Sequence, residues 1–206
     1  MHLTKGLVLL LSAALAGCAS LSKEECLTAD WHAIGYEDGV RGEQRSQVAA
    51  HRKACAEYRV RPDMREYREG YAEGLESFCT ASTGYSRALD GYEYTGVCHG
   101  LLEADFLEGY TSGREIYQAS SHVEALESQQ QQNRSQSEHL KETLREKESL
   151  LFAADQSEQV RRKVYREIAQ LNERLGRLAR EQEILIRRLH DAESRLQELR
   201  SQAAFY

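Results

Sequence analysis

Proline is nearly absent from this chain of 206 residues, which has only Pro62. Glycine is almost as rare in the C-terminal part, where Gly176 alone interrupts residues 121–206. With so few breakers, and with its Glu, Gln, Arg and Leu content, that part has the composition of a coiled coil or long helix. The scarcity of both residues therefore predicts a boundary near residue 120, between a head and a helical tail.

Clusters of Lys and Arg are also lacking. Residues 19–120 carry 11 basic and 18 acidic side chains, and residues 121–206 carry 15 of each. Nucleic-acid binding requires clustered basic side chains that neutralise phosphates, so the pattern excludes a nucleic-acid partner. An acidic head also gains little from an anionic membrane surface.

Motifs that signal catalysis are missing. The sequence has no Gly-x-Ser-x-Gly elbow, no His-Glu-x-x-His helix and no phosphate-binding glycine loop. Acidic pairs such as Glu37-Asp38 are interpreted as solvated helix faces. We therefore expect a protein that is not an enzyme and has no cofactor.

The apolar run of residues 7–15 is too short to span a bilayer as a helix. It follows Lys5 and ends in Leu15-Ala16-Gly17-Cys18, the pattern at which bacterial lipoprotein precursors are lipidated and cut. Residues 1–17 are thus predicted to be a signal peptide, with Cys18 as the lipidated first residue of the mature chain. The alternative for this segment is a buried amphipathic helix or an uncleaved anchor.

Lipidation at Cys18 predicts the location of the protein. Several acyl chains, palmitate among them, give a stable hold on a membrane. Ala19 is not the aspartate that retains Gram-negative lipoproteins in the inner membrane. We expect the outer membrane, with the chain anchored by lipid and facing the periplasm.

Four further cysteines lie in the head, and an oxidising compartment favours two disulfides among them. Three pairings are possible; the preferred one joins neighbours along the chain, Cys26 with Cys55 and Cys79 with Cys98. A zinc site is the alternative, since His51 stands four residues before Cys55 and His99 follows Cys98. No Cys-x-x-Cys pair accompanies them, and no metal is predicted.

A Gly-Tyr repeat occurs in the head, with a second glycine four residues after the first. The full copies are Gly35-Tyr36 to Gly39, Gly70-Tyr71 to Gly74 and Gly109-Tyr110 to Gly113, with a looser copy at residues 91–96. Glycine in a helix costs about 1 kcal/mol relative to alanine, so its repetition needs a reason. Either the glycines let helices approach closely, or they open a carbohydrate-binding surface on which a ligand stacks; the candidate binding residues are Trp31, Tyr36, Tyr71 and Tyr110. A third interpretation makes each copy a hairpin turn.

Caps and breakers predict helices near 28–41, 45–58, 63–78 and 102–120. Ser22 to Glu25 and Asp63 to Glu66 both resemble capping boxes. Residues 80–100, rich in glycine and bounded by two cysteines, are interpreted as a disulfide-closed loop.

These motifs together resemble those of the domain-of-unknown-function family 2799, small lipoproteins of Gram-negative bacteria. The resemblance covers roughly residues 18–118 and rests on the ordered cysteines, on Asp30-Trp31, on Pro62-Asp63 and on the Gly-Tyr copies. It implies the cellular address and the extent of the head. It brings no activity, catalytic residue or cofactor.

Apolar residues in the tail alternate by three and four, which indicates a coiled coil. The predicted core residues are Ile168, Leu171, Leu175, Leu178, Gln182, Leu185, Leu189, Leu196 and Leu199. Ile184 and Ile186 lie outside this seam and suggest three strands or another protein's helix. Residues 129–133 are judged too polar for a core. A helix packed on the head is one alternative, and a break at residues 153–157 that folds the tail into a hairpin is another.

The expected fold is all-α: a signal peptide (1–17), a disulfide-braced helical head (18–120) and a coiled-coil stalk (121–206). The expected function is that of a non-enzymatic outer-membrane lipoprotein, a structural or protein-interaction element of the periplasm. Its stalk is expected to form a homo-oligomer or to bind an envelope protein. The alternative function is a peptidoglycan- or glycan-binding module, multimerised by the stalk.

Overall fold

A computed structural model describes residues 21–204 of the chain. It is 81% helical and has no strand, so the all-α prediction is confirmed for the described residues. The α-helices are α1 (Lys23–Leu27), α2 (Trp31–Arg41), α3 (Gln47–Cys55), α4 (Met64–Phe78), α5 (Ala81–Leu89), α6 (Leu101–Phe152) and α7 (Glu158–Gln202). The predicted signal peptide and Cys18 lie outside the described residues and stay predictions.

Local sequence signals account for the helix starts. Ser22 and Glu25 form the predicted capping box at α1. Asp30 caps α2, and Asp63 caps α4 by accepting from the amides of Arg65 and Glu66. The short helices of the head therefore begin where side chains satisfy the first free amides.

Two boundaries differ from the prediction. Residues 81–89 form α5 and not part of a loop, with the Thr80 hydroxyl capping its first turn. The helix predicted to end at residue 120 continues to Phe152. The predicted boundary between head and stalk falls inside α6 and stays a prediction.

Two compact units make up the described part of the chain. The first comprises residues 21–79 and 95–102, with α2 packed on α4 and α3 beside them. Its disulfides join Cys26 to Cys55 and Cys79 to Cys98, the preferred pairing. The four cysteines lie in the core, at most 1% exposed.

The second unit comprises residues 80–94 and 103–204 and is dominated by an antiparallel hairpin of α6 and α7. Lys147 forms an ion pair with Glu167, and the Asn133 side chain donates to the carbonyl of Leu178 at 3.3 Å. Further along, Ile116 packs with Leu196. Residues later in α6 thus contact residues earlier in α7, so the two helices are antiparallel. The predicted break at residues 153–157 is the turn between them. At 1.5 Å per residue, α7 is about 68 Å long.

Each disulfide is expected to contribute about 3 kcal/mol to the free energy of unfolding by closing a loop in the unfolded chain. Replacing Cys26 and Cys55 together by serine should lower the denaturant concentration at the midpoint of unfolding. The helices should remain in the absence of denaturant. Denaturant titrations followed by circular dichroism measure the change. A double variant as stable as the parent would show that the bridge is dispensable.

Among the described residues, no helix is both long and apolar enough to cross a membrane.

Candidate functional site

The first Gly-Tyr crossing joins α2 and α4 backbone to backbone. A Cβ on Gly35 would lie 2.9 Å from the carbonyl carbon of Tyr67, and one on Gly74 would lie 2.8 Å from the amide of Val40. Gly39 and Gly70 are equally enclosed by the opposite backbone. Only glycine fits these four positions, so the interpretation as close helix packing is confirmed here, and the hairpin-turn interpretation is wrong.

The second crossing joins α5 and α6 with the same geometry. A Cβ on Gly84 would lie 3.0 Å from the amide of Tyr110, and one on Gly109 would lie 2.6 Å from the carbonyl carbon of Ala81. Its fourth position is filled by Ala88, whose methyl lies 2.9 Å from a Cβ placed on Gly113. The fourth copy of the repeat is therefore Gly84-Tyr85 to Ala88 and not residues 91–96. The sequence does contain a signal for this copy, because Gly84-Tyr85 is itself a Gly-Tyr dipeptide.

Two of the four candidate binding aromatics are buried. Trp31 and Tyr71 are buried, 6% and 3% exposed, and the Tyr71 hydroxyl donates to the carbonyl of Glu43. Tyr36 is exposed at 42%. Tyr110 belongs to the other unit, where its hydroxyl donates to the carbonyl of Tyr92. Burial removes Trp31 and Tyr71 from contact with a sugar and places them in packing roles.

A polar cluster lies buried beside the first crossing. Asp38 is 0% exposed, so its interpretation as a solvated residue is wrong. Its carboxylate accepts from the Tyr67 hydroxyl at 2.7 Å, from His51 Nε2 at 2.8 Å and from the Arg41 guanidinium at 2.6 Å. The cluster connects α3, through His51, to the α2–α4 pair.

Burial alone would raise the pKa of the Asp38 carboxyl. The hydrogen bonds from His51 and Tyr67, with the neighbouring positive charge, nevertheless hold that pKa below its ordinary value of 3.8. Burial and the adjacent carboxylate raise the pKa of the Tyr67 hydroxyl. Asp38 is thus an anion at neutral pH, and Tyr67 is a neutral donor.

The second crossing lacks this cluster. At equivalent positions of the two crossings, Arg87 stands where the first has Asp38, and Phe106 stands where it has Tyr67. Close glycine packing therefore does not require a buried carboxylate. The cluster serves an additional purpose in the first unit, namely to fix α3.

The geometry of the cluster does not suit catalysis. A general base must come within hydrogen-bond reach of the group it deprotonates. His51 is 3% exposed, and its Nδ1 is buried without a partner. This Asp-His pair is closed off from any substrate in solution.

The thiols of the zinc alternative are bonded elsewhere. Cys55 and Cys98 both form disulfides, and His51 binds Asp38. Within residues 21–204, no group of three His, Cys, Asp or Glu side chains could hold a metal ion.

The predicted coiled-coil seam is covered by α6 of the same chain. None of its nine residues is exposed, and Leu171, Leu185, Leu196 and Leu199 are at most 9% exposed. Asn133 is 6% exposed and lies in the seam, so the interpretation of residues 129–133 as too polar for a core is wrong at that position. Its donation to Leu178 satisfies the buried amide.

A concave surface, here called the stalk groove, lies between α6 and α7. Its lining includes Ser137, Gly176 and Ala179, the polar Asn133 and Gln182, and the charged Arg134, Glu138 and Lys141, and it encloses about 680 Å³. The Gln182 Oε1 atom is buried and has no hydrogen-bond donor. Small side chains therefore leave a recess beside a polar atom that lacks a partner.

The sequence model of one family, described as a protein of unknown function (DUF2799), matches residues 30–115. The match confirms the resemblance found in the sequence and contains both glycine crossings, the Asp38 cluster and three of the four disulfide cysteines. No curated protein and no solved structure matches the chain.

Proposed function

We propose that the chain, whose residues 30–115 match the DUF2799 family, is a non-enzymatic lipoprotein of the outer membrane. We propose further that it binds another envelope protein through its stalk. Lipid on Cys18 holds it on the periplasmic face. The lipobox at residues 15–18 and the four disulfide cysteines support this address.

The stalk groove carries the proposal for binding. The hairpin fills its own seam, so self-association through that seam would first require the hairpin to open. What remains available is the groove, where Gly176 and Ala179 would let a third helix approach closely. Laying an amphipathic helix in a groove is a common mode of recognition between proteins.

A polar side chain on that third helix would complete the groove. A donor such as an asparagine amide would satisfy the Gln182 oxygen. Buried polar positions of this kind set register and partner choice in coiled coils. The groove thus selects an amphipathic helix with one donor at a defined position.

The alternative glycan-binding function has less support. Its stacking surface needs Tyr36 and Tyr71 together, but Tyr71 is in the core.

Photo-crosslinking in cells tests the groove. A crosslinking residue at Ser137 or Ala179 is expected to give a reproducible adduct with one other protein, because both positions line the groove. The same residue at Arg187, which is exposed and lies outside the seam, is the matched control and should give little adduct. Adducts of the chain only with itself would replace the proposed partner by a second copy.

A blocking variant separates binding in the groove from proximity. Ala179→Arg should abolish the adduct from Ser137 while the hairpin stays helical, because residue 179 is exposed. Adducts of equal yield at all three positions, or an adduct from Ser137 that Ala179→Arg leaves unchanged, would contradict the proposal.

A further inference from the structure

The turn end of the hairpin, here called the hairpin tip, exposes several large apolar side chains. It consists of the last turn of α6, residues 153–157 and the first two turns of α7. Phe152 is 82% exposed, Tyr165 67%, Leu150 44% and Val160 40%. Solvent-exposed apolar residues occur singly on most proteins, but a group of this size at one end marks an interaction surface.

Positive charge accompanies these apolar side chains. Residues 153–166 contain four basic residues and two acidic residues, Asp155 and Glu158, and Glu158 is paired with Arg162. Arg161 and Arg166 line a concave surface of about 660 Å³ with Leu151 and Tyr165. Neither forms an ion pair among the described residues, so their charge is available to a partner.

We infer that the hairpin tip docks on the anionic headgroups of a phospholipid bilayer. Phenylalanine, leucine and tyrosine next to arginine are the side chains that occupy the interface between headgroups and acyl chains. Each basic side chain close to an anionic bilayer adds about 1 kcal/mol. The charge of the tip is complementary to that surface.

The dimensions of the tip also fit a bilayer interface. Tyr165 stands seven residues from the start of α7, about 10 Å along the axis. Interfacial segments bury their apolar side chains to about 5–10 Å. Measured from the helix ends, Leu150, Phe152 and Val160 lie well within that depth, and Tyr165 lies at its limit.

A surface of this kind suits a bilayer better than a protein. Protein interfaces concentrate their affinity in enclosed, well-packed pockets. At the tip the apolar side chains lie on two helices around a turn, and the concave surface beside them is open. This inference concerns a different surface from the stalk groove and holds whether or not the groove has a partner.

The test uses a tryptophan at position 152 as a local reporter. The only native tryptophan, Trp31, is buried and supplies a constant background. The mature Phe152→Trp chain is reconstituted in phosphatidylcholine vesicles, and a second population containing equal parts of phosphatidylcholine and phosphatidylglycerol is added. We expect the emission maximum to move to shorter wavelength with the second population and to stay unchanged with more phosphatidylcholine vesicles. Protein that is not retained by the phosphatidylcholine vesicles can be used in the same measurement, because the tryptophan at position 152 reports on the tip in either case.

Matched variants identify the contact. Arg161→Gln with Arg166→Gln should weaken binding by roughly thirty-fold, given about 1 kcal/mol for each charge. Ile186→Trp, on an exposed position in the middle of α7, is the control reporter and should not shift. No shift at position 152, or a shift that the arginine variant leaves unchanged, would overturn the inference. A shift that grows with protein concentration without anionic vesicles would also overturn it and assign the tip to contact between copies.

Discussion

Replacing Gly70 by alanine is expected to lower the free energy of unfolding of the first unit by ~3 kcal/mol or more. The new methyl would lie 2.8 Å from the carbonyl carbon of His32 and 3.0 Å from the amide nitrogen of Tyr36. No side-chain rotation relieves this overlap, because both neighbours are backbone atoms. The helices α2 and α4 must separate, and contacts at the other three glycines of the crossing are lost with them.

Gly176→Ala is the matched control for this substitution. Gly176 also lies inside a helix, but its nearest neighbour would be the Arg180 side chain at 3.7 Å, an ordinary contact. Alanine there should stabilise α7 by about 1 kcal/mol through helix propensity alone. Denaturant unfolding followed by circular dichroism measures both variants, and Trp31 fluorescence reports on the first unit. Changes of the same sign in the two variants would show that α2 and α4 are not in backbone contact.

The glycine repeat shows how far sequence patterns reach in this protein. The spacing of the glycines and their cost in helix stability predicted close helix packing correctly. A residue that destabilises a helix and is repeated on one face must be offset by tertiary contacts. The same reasoning missed α5, since Gly84 lies in a glycine-rich segment bounded by Cys79 and Cys98, a pattern typical of a loop. Only the opposing helix, with the Phe106 carbonyl against Gly84, shows that this glycine belongs inside a helix.

The tail shows the complementary limit. Heptad positions predicted which residues of α7 are covered but not which helix covers them. The covering segment of α6 has weak periodicity, and it places Asn133 at a core position. The local signal for the hairpin was the turn itself, where the Ser157 hydroxyl caps α7 by accepting from the amide of Val160.

The sequence places Asp38 beside a second carboxylate, Glu37, and an acidic pair on a helix predicts a solvated face, yet only Glu37 is exposed. Helical geometry separates them: Asp38 stands three residues after Gly35, on the face that meets α4. The hydrogen-bond partners Tyr67 and His51 are 29 and 13 residues away, so no local pattern announces the cluster.

Asp38→Ala is expected to lower the free energy of unfolding by about 3–5 kcal/mol, because three donors lose their common acceptor inside the core. Tyr67→Phe, which reproduces the residue found at the equivalent place in the second crossing, removes one bond and should cost about 1 kcal/mol. Chemical denaturation at neutral pH measures both. Equal effects would mean that the hydrogen bond from the Tyr67 hydroxyl accounts for the whole contribution of the Asp38 carboxylate, and that the donors His51 and Arg41 add nothing to it.

The dependence of stability on acidic pH distinguishes the contribution of the Asp38 charge from the contribution of its packing. Because the pKa of Asp38 is lower in the folded state than its ordinary value of 3.8, the anion stabilises the fold fully above that value. This stabilisation disappears as the pH falls through the lower, folded-state pKa. The parent protein should therefore lose stability more steeply than Asp38→Asn over this acidic range, and the two curves should converge at its lower end. Parallel curves would show that Asp38 titrates alike in the folded and unfolded chains, and that its role is limited to shape.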